Sequence, residues 1–215
     1  MPAMPAASPS STVPEEFAVL RECLAEVTDP RLARGKVHPL PGVLGLTVLG
    51  LMAGCRSLSA ISRFGRIHPA VLGPLGLRRS PSVATLSRLL GRVAVADVRA
   101  ALREFARRLL AGRGEATSAA AVAVDGKTLR GVREDGEQLH VRQVFAHRGA
   151  LALDQAAAAP LRGEPAAARA WVEDVAGAFP GLRVLTGDAT FAEQDRCAAI
   201  VADQRAYLVR LKKTR

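Results

Sequence analysis

The sequence predicts an α/β domain with a mixed sheet, preceded by an all-α domain. Up to about residue 110, apolar residues recur at the three- and four-residue spacing that is typical of helices. After the Gly-Arg-Gly run at residues 112–114, short apolar runs typical of strands take over. A length of 215 residues is sufficient for two small domains, each with its own hydrophobic core. The composition, with 49% hydrophobic and 23% charged residues, is typical of globular proteins. We predict a disordered leader at 1–14, a helical domain at 15–112 and a sheet domain at 118–215.

Two helices begin the helical domain. Residues 15–27 place apolar side chains on one face, and this helix should end before Pro30. Residues 40–55 are the most apolar stretch and predict a buried helix at about residues 41–53. This stretch is shorter than the ~20 residues that span a bilayer, so we expect no membrane association.

Three further helices follow. Ser57 and Ser82 are good N-caps and predict helices that start directly after them. The connection between these helices is too long for a helix-turn-helix, which uses three or four residues. Residues 95–110 predict a last helix with an apolar face and an arginine face.

The second half predicts the element order β-β-β-α-β-α-β. Strands are expected at about residues 120–124, 139–145 and 150–157, and these three should form an antiparallel meander. A helix at 166–178, a strand at 182–186, a helix at 191–202 and a strand at 206–211 complete the domain. Alternation of this kind predicts a mixed sheet.

The charge is basic and concentrated in the first half. The chain has a formal net charge of +10. Residues 56–113 contain twelve arginines and only two acidic residues, Asp97 and Glu104. Such a field would attract a phosphate backbone, so we predict that Arg88, Arg92 and Arg103 bind DNA. The alternative is that arginine is a background feature of this composition and is merely solvated. Aromatic residues make up only 4%, which excludes base stacking as a main binding device.

The cysteines and histidines predict neither disulfides nor zinc. Cys23, Cys55 and Cys197 are odd in number and widely spaced, which fits a reducing cytosol. No signal peptide is visible, so a cytoplasmic location is expected. The four histidines have no metal-binding spacing. His140 either borders a site or is a hydrogen-bonded strand residue.

Two aspartates are the candidate catalytic and metal-binding residues. Asp125 and Asp188 each end a short apolar run, where a strand would hold a carboxylate rigidly yet near solvent. If their strands are neighbours, the backbones lie ~4.8 Å apart and the carboxylates could share Mg²⁺. The alternative is that Asp125 and Gly126 form a turn. A nucleotide-binding phosphate loop is excluded, because Ala121 stands where that motif requires glycine.

Several motifs resemble the DDE transposases of bacterial insertion sequences, in particular the H-repeat-associated group. The most specific is Val-Asp-Gly-Lys-Thr-Leu-Arg-Gly at residues 124–131. Gly-Asp-Ala at 187–189 and Tyr-Leu-Val-Arg-Leu-Lys at 207–212 are similar as well. In the first half, Ala-Gly-Cys-Arg-Ser-Leu-Ser-Ala-Ile at 53–61 resembles the helical segment that precedes the catalytic domain of that group.

The resemblance implies a ribonuclease H-like fold and a metal-dependent reaction on DNA. It implies cleavage at element ends and attack of the freed 3′-hydroxyl on target DNA, with Asp125 and Asp188 as ligands of Mg²⁺ or Mn²⁺. Lys127 and Arg130 would lie near DNA phosphate. By analogy, a homodimer would bring two transposon ends together in the nucleoid.

The chain also departs from the family pattern. The family's third acid, a glutamate beyond the Tyr-x-x-x-x-Lys strand, has no counterpart before Arg215, and Glu193 is more typical of a surface residue. We therefore expect a truncated copy of doubtful activity. One rival is a non-catalytic DNA-binding remnant. The other is a magnesium-dependent haloacid-dehalogenase-like phosphatase, which would require an acid where Lys127 stands.

Overall fold

The computed structural model describes residues 15–32, 34, 36–112, 120–134, 137–147, 151–158, 165–188 and 194–210. The chain divides into two compact units, residues 1–94 and residues 95–215. Among the described residues, no helix is both long and apolar enough to cross a membrane. The predicted leader at 1–14 lies outside the described residues.

The first unit is helical, as predicted. Its helices are α1 (Glu15–Ala25), α2 (Leu40–Met52), α3 (Leu58–Ile67) and α4 (Val83–Leu90), with a 3₁₀ turn at Pro69–Val71. Both predicted caps are confirmed. The hydroxyl of Ser57 accepts a hydrogen bond from the backbone N–H of Ala60 at 3.1 Å, and that of Ser82 accepts one from Thr85 at 3.2 Å. These bonds satisfy amides that the first turn of a helix leaves without a partner.

Glycines allow α2 to be buried in the core of this unit. A Cβ added at Gly42 would meet the carbonyl oxygen of Leu75, and one added at Gly45 would meet the side chain of Leu75. At Gly50 the added atom would lie 3.1 Å from Ile61. Other segments of the same unit therefore pack directly against the α2 backbone at these three glycines, where any other residue would place a Cβ.

The second unit contains helix α5 (Val95–Gly112) and a five-stranded sheet with two further helices. The strands are β1 (Ala121–Glu134), β2 (Glu137–Ala146), β3 (Ala152–Ala158), β4 (Val184–Gly187) and β5 (Ala206–Val209), and the helices are α6 (Pro165–Ala178) and α7 (Gln194–Ala202). The predicted element order is confirmed. The strand order across the sheet is β3-β2-β1-β4-β5, in which β2 is antiparallel to β1 and β3, while β1, β4 and β5 are parallel.

One face of the sheet carries the core of this unit. Val122 of β1 and Leu185 of β4 are fully buried there. All three helices pack against this face, through Ala106 of α5, Val175 of α6 and Ile200 of α7. The β3-α6-β4 and β4-α7-β5 crossovers step in the same direction along the sheet, so right-handed connections bring both helices to the same side.

Two predictions differ from the structure. Strand β1 continues to Glu134, far past its predicted end at residue 124. Helix α5 groups with the sheet and contacts β3, whereas we predicted that the helical domain extends to residue 112. The reason is that α5 buries Ala106 and Leu110 in the core of the sheet.

Candidate active site and candidate nucleic-acid interface

The two predicted metal-binding aspartates are brought together by the register of β1 and β4. The two strands are parallel, and their last paired residues are Val124 and Gly187. Asp125 directly follows Val124 and Asp188 directly follows Gly187. The two aspartates therefore lie on neighbouring strands, next to the carboxyl end of β4. The interstrand spacing there is ~4.8 Å.

Alternation along the strands places both aspartates on the face opposite the core. Val124 and Leu185 point into the core, at 7% and 0% exposure. Successive side chains of a strand point to opposite faces, so Asp125 is directed away from the core, and Asp188 follows the same alternation past Gly187. Both side chains are exposed to solvent. The two carboxylates therefore share an open face of the sheet.

Asp125 lies inside a strand, which corrects the position that we predicted for it. Asp125 pairs with Gln143 and Gly126 pairs with Arg142, both of β2, and β1 continues beyond them. The alternative reading of these two residues as a turn is therefore wrong. The ladder to β2 fixes the backbone of Asp125 more firmly than the end of a strand would.

Lys127 is a cation in contact with Asp125. Its Nζ lies 3.3 Å from Oδ2 of Asp125, and its side chain is 65% exposed. Residues two apart on a strand share a face, which accounts for the contact. Lys127 thus lies beside the first aspartate, and its contact with DNA phosphate stays a prediction. The side chain of Arg130 lies outside the described part of the structure.

A row of polar residues crosses the open face on either side of the aspartates. Gln155 of β3 pairs with Gln143, and Gln143 pairs with Asp125. The amide of Gln143 donates a hydrogen bond to Oε1 of Gln155 at 3.1 Å. On the other side, Arg210 follows Val209, the partner of Gly187, and its backbone N–H donates to the carbonyl of Gly187 at 3.2 Å. The sequence did not reveal this row, because it depends on register.

His140 lies within β2 and His147 follows it, and each contacts the hydroxyl of a threonine. His147 follows β2, and its Nε2 lies 2.8 Å from the hydroxyl of Thr186, a residue that shares the open face with Asp125. His140 pairs with Thr128, and its Nδ1 lies 2.9 Å from the hydroxyl of that threonine. His140 is therefore a hydrogen-bonded strand residue, which was one of the two alternatives.

Arg88 and Arg92 lie on an exposed surface of the first unit. Arg88 is on α4, where its Nε donates to the carbonyl of Ala84 at 3.1 Å. Arg92 follows the helix and donates to the carbonyl of Pro30 at 3.2 Å. The two arginines are four positions apart, so they share one face of α4 and the turn after it.

Arg103 has a different environment from the one that we predicted. Its guanidinium contacts Asp154 of β3 at 2.6 Å and Asp174 of α6 at 2.8 Å, and its side chain is only 18% exposed. Arg99 bridges the same two aspartates. The positive charge of Arg103 is neutralised by Asp154 and Asp174, which argues against a role of Arg103 in DNA binding.

The contacts with Arg99 and Arg103 hold Asp154 and Asp174 in their charged form. Burial alone would raise the pKa of Asp154, but hydrogen bonds from Arg99 and Arg103 outweigh it and lower that pKa. The hydrogen bond from Arg103 lowers the pKa of Asp174 to about 2. The cluster therefore joins α5, β3 and α6 through four charges at neutral pH.

No third metal ligand accompanies the two aspartates in the part of the chain that is described. Within the residues described, no group of three or more His, Cys, Asp or Glu side chains could hold a metal ion. Glu193, which we considered as a substitute for the third acid, lies outside the described residues. Cys23, Cys55 and Cys197 all lie within the described residues, and no two of them form a disulfide.

Comparison with known proteins supports a transposase-related function. A family model described as "DDE_Tnp_1-associated" matches residues 21–106, which is less than half of the chain. No curated protein matches the sequence. A solved structure, "Cryo-EM structure of piggyBac transposase synaptic complex with hairpin DNA (SNHP)", is similar over 96% of this chain at 10% identity. This chain covers 44% of that one, and the TM-score of 0.31 is too low to argue a shared fold.

Proposed function

We propose that this chain is a DDE-type transposase of a bacterial insertion sequence, or part of one, that acts on DNA through Asp125 and Asp188. The observation that supports the proposal is the β1–β4 register, in which Asp125 and Asp188 each follow the last pair of residues, Val124 and Gly187. The family match over residues 21–106 supports the same class. The strand order, with β2 alone antiparallel, supports the ribonuclease H-like fold that the resemblance implies.

The two aspartates fit a magnesium ion. Mg²⁺ prefers oxygen ligands and is commonly held by one or two carboxylates together with water and substrate phosphates. Both side chains are exposed, and that of Asp125 is 55% accessible, so a phosphodiester can reach them. When bound, Mg²⁺ or Mn²⁺ would activate water and stabilise charge on the phosphoryl group.

The protein's own residues would position the DNA. Lys127 is a flexible cation beside Asp125, and it can turn from the carboxylate to a phosphate oxygen when a metal replaces it. Arg210 follows β5 on the other side of Asp188 and is exposed. Together they would bracket a DNA strand that crosses the row of polar residues. By analogy, two copies would hold two transposon ends.

DNA nicking and metal binding test this proposal. Asp125→Asn and Asp188→Asn keep the size of the side chain and remove its charge, while Asp195→Asn changes an exposed aspartate of α7 as the matched control. We expect Mg²⁺-dependent nicking of a DNA panel by the wild type and the control only. Mn²⁺ titration followed by electron paramagnetic resonance should show weaker binding in the two site variants. Equal Mn²⁺ binding by all four proteins would refute the metal site.

A second candidate is a DNA-binding protein without catalytic activity. It is favoured by the observation that the described residues supply two acids at this site and no third. This function predicts salt-sensitive DNA binding by the wild type and no nicking with either metal. Nicking that is lost in Asp125→Asn would exclude it.

A further inference from the structure

A cavity of about 400 Å³ in the first unit is lined by four arginines. Its size lies within the range of small-ligand sites. Among the described residues that line it, none carries a carboxylate. The residues that matter for its chemistry are Arg31, His38, Arg79, Thr85, Arg88 and Arg92.

Helix α4 supplies one wall of this cavity. Thr85, Arg88 and Arg92 are spaced three and four residues apart, so they project from one face of the helix and its following turn. Ser82 fixes the start of the helix, and its hydroxyl also lies 2.9 Å from that of Thr85. Thr85 is thus oriented by the same cap that begins the helix.

The segment before α2 supplies the opposite wall. Arg31 forms a two-point contact with Asp29, with both N–O distances at 2.9 Å, and donates to the carbonyl of His38 at 2.8 Å. Arg92 reaches across to the carbonyl of Pro30. These bonds hold the walls in place before any ligand arrives, and a guanidinium with five N–H donors retains others for a ligand.

The described lining of the cavity carries more positive than negative charge. Asp29 is the acid beside it, and it already contacts Arg31 and Lys36, the latter at 3.2 Å. His38 is only 6% exposed. Burial, together with the positive charges of Arg79 and Arg31, lowers the pKa of His38. The imidazole is therefore neutral at pH 7 and adds a polar group to the lining without adding charge.

We propose that this cavity binds one phosphate group. Guanidinium groups match the geometry of phosphate oxygens and bind them through paired N–H donors, and the hydroxyl of Thr85 adds a further donor. The phosphate can come from a DNA backbone or from the free ion. Only the DNA source rests on the proposed function, because the cavity itself is independent of Asp125 and Asp188.

Calorimetric titration of the full chain with inorganic phosphate tests the site. Arg79→Gln and Arg88→Gln each remove one guanidinium, and Arg63→Gln removes an exposed arginine of α3 as the matched control. We expect about a tenfold weaker Kd in each site variant and an unchanged Kd in the control. Arg88→Lys should restore binding only in part, because lysine keeps the charge and loses the paired donors. Circular dichroism melting establishes that each variant is folded.

The state of His38 gives a second measurement. Bound phosphate brings negative charge beside the imidazole and should raise the pKa of His38, which NMR titration of the ring nitrogens detects. Asp29, Lys36 and the four arginines are the charged groups around it. No binding by the wild type, or equal weakening by Arg63→Gln, would overturn the proposal.

A short DNA duplex distinguishes the two sources of phosphate. Competition between the duplex and inorganic phosphate assigns the cavity to a DNA backbone phosphate. Binding of phosphate without such competition assigns it to the free ion, and the site still stands. Asp125→Asn should leave phosphate binding unchanged in either case, so a failure of the catalytic proposal is distinguishable from a failure of this one.

Discussion

Arg103 and Asp154 are joined at 2.6 Å in the interior of the second unit, where the side chain of Asp154 is only 1% exposed. Asp154 also binds Arg99. Removing Asp154 would leave Arg99 and Arg103 with the more exposed Asp174, and the loss of one partner of a buried ion pair usually costs several kcal/mol. The cluster is therefore a structural element of the sheet unit.

Asp154→Asn should destabilise the second unit by about 3 kcal/mol, because the two guanidinium groups lose their buried counter-charge. Urea unfolding followed by the fluorescence of Trp171, the single tryptophan, measures the free energy of unfolding of this unit. Asp195→Asn is the control and should stay within about 0.5 kcal/mol of the wild type. A similar small change in Asp154→Asn would show that the ion pairs contribute nothing net.

The stability of the second unit should depend on acid pH through Asp174. Its pKa falls from 3.8 to about 2 on folding, so the unfolded state binds a proton first as the pH decreases. The stabilisation is complete above pH 3.8 and is lost as the pH falls towards 2. Unfolding at pH 5, 4 and 3 should show a shallower decline in Asp174→Asn than in the wild type. Parallel declines would contradict this assignment.

Gly42→Ala should destabilise the first unit by about 1–3 kcal/mol, because the added methyl group meets the backbone oxygen of Leu75 and lies 3.1 Å from Leu77. Gly73→Ala is the matched control, since a Cβ at Gly73 meets nothing within 4 Å. Thermal unfolding by far-ultraviolet circular dichroism compares the two variants. Equal melting temperatures would show that α2 tolerates a side chain at this position.

DNA binding should separate Arg88 and Arg92 from Arg103. Arg88→Ala and Arg92→Ala should each weaken binding and reduce the slope of log K against log salt by about 1, as expected for a lost phosphate contact. Arg103→Ala should leave that slope unchanged and lower the melting temperature instead, because Arg103 contacts Asp154 and Asp174. Fluorescence anisotropy with a labelled duplex over a range of KCl concentrations measures the slopes. A reduced slope of log K against log salt in Arg103→Ala would show that Arg103 contacts DNA phosphate after all.

Local signals in the sequence were sufficient for most elements of the fold. Ser57 and Ser82 are caps whose hydrogen bonds reach only three residues along the chain, so the sequence identifies the helices after them. The end of β1 could not be predicted. Beyond Val124 the strand is polar, and its extension depends on pairing with β2 rather than on its own residues.

The candidate sites were predicted less completely, because they depend on contacts between distant residues. The aspartates were identified from the ends of apolar runs and from the resemblance, but their adjacency required the β1–β4 register. Arg103 has two partners more than fifty residues away, which no local pattern indicates. Arg31 and Arg79 were missed for the same reason, since only the fold brings them to Arg88.

The ladder between β1 and β2 has a consequence for any ligand of Asp125. Gln143 holds the peptide at this position, and the strand continues for several residues beyond it. The conformational entropy of that peptide is thus lost when the protein folds, and none of it has to be lost again on binding. Asp188 comes directly after Gly187, the last residue of β4 that pairs with β1. At Asp125, therefore, a ligand meets a main chain that is already ordered.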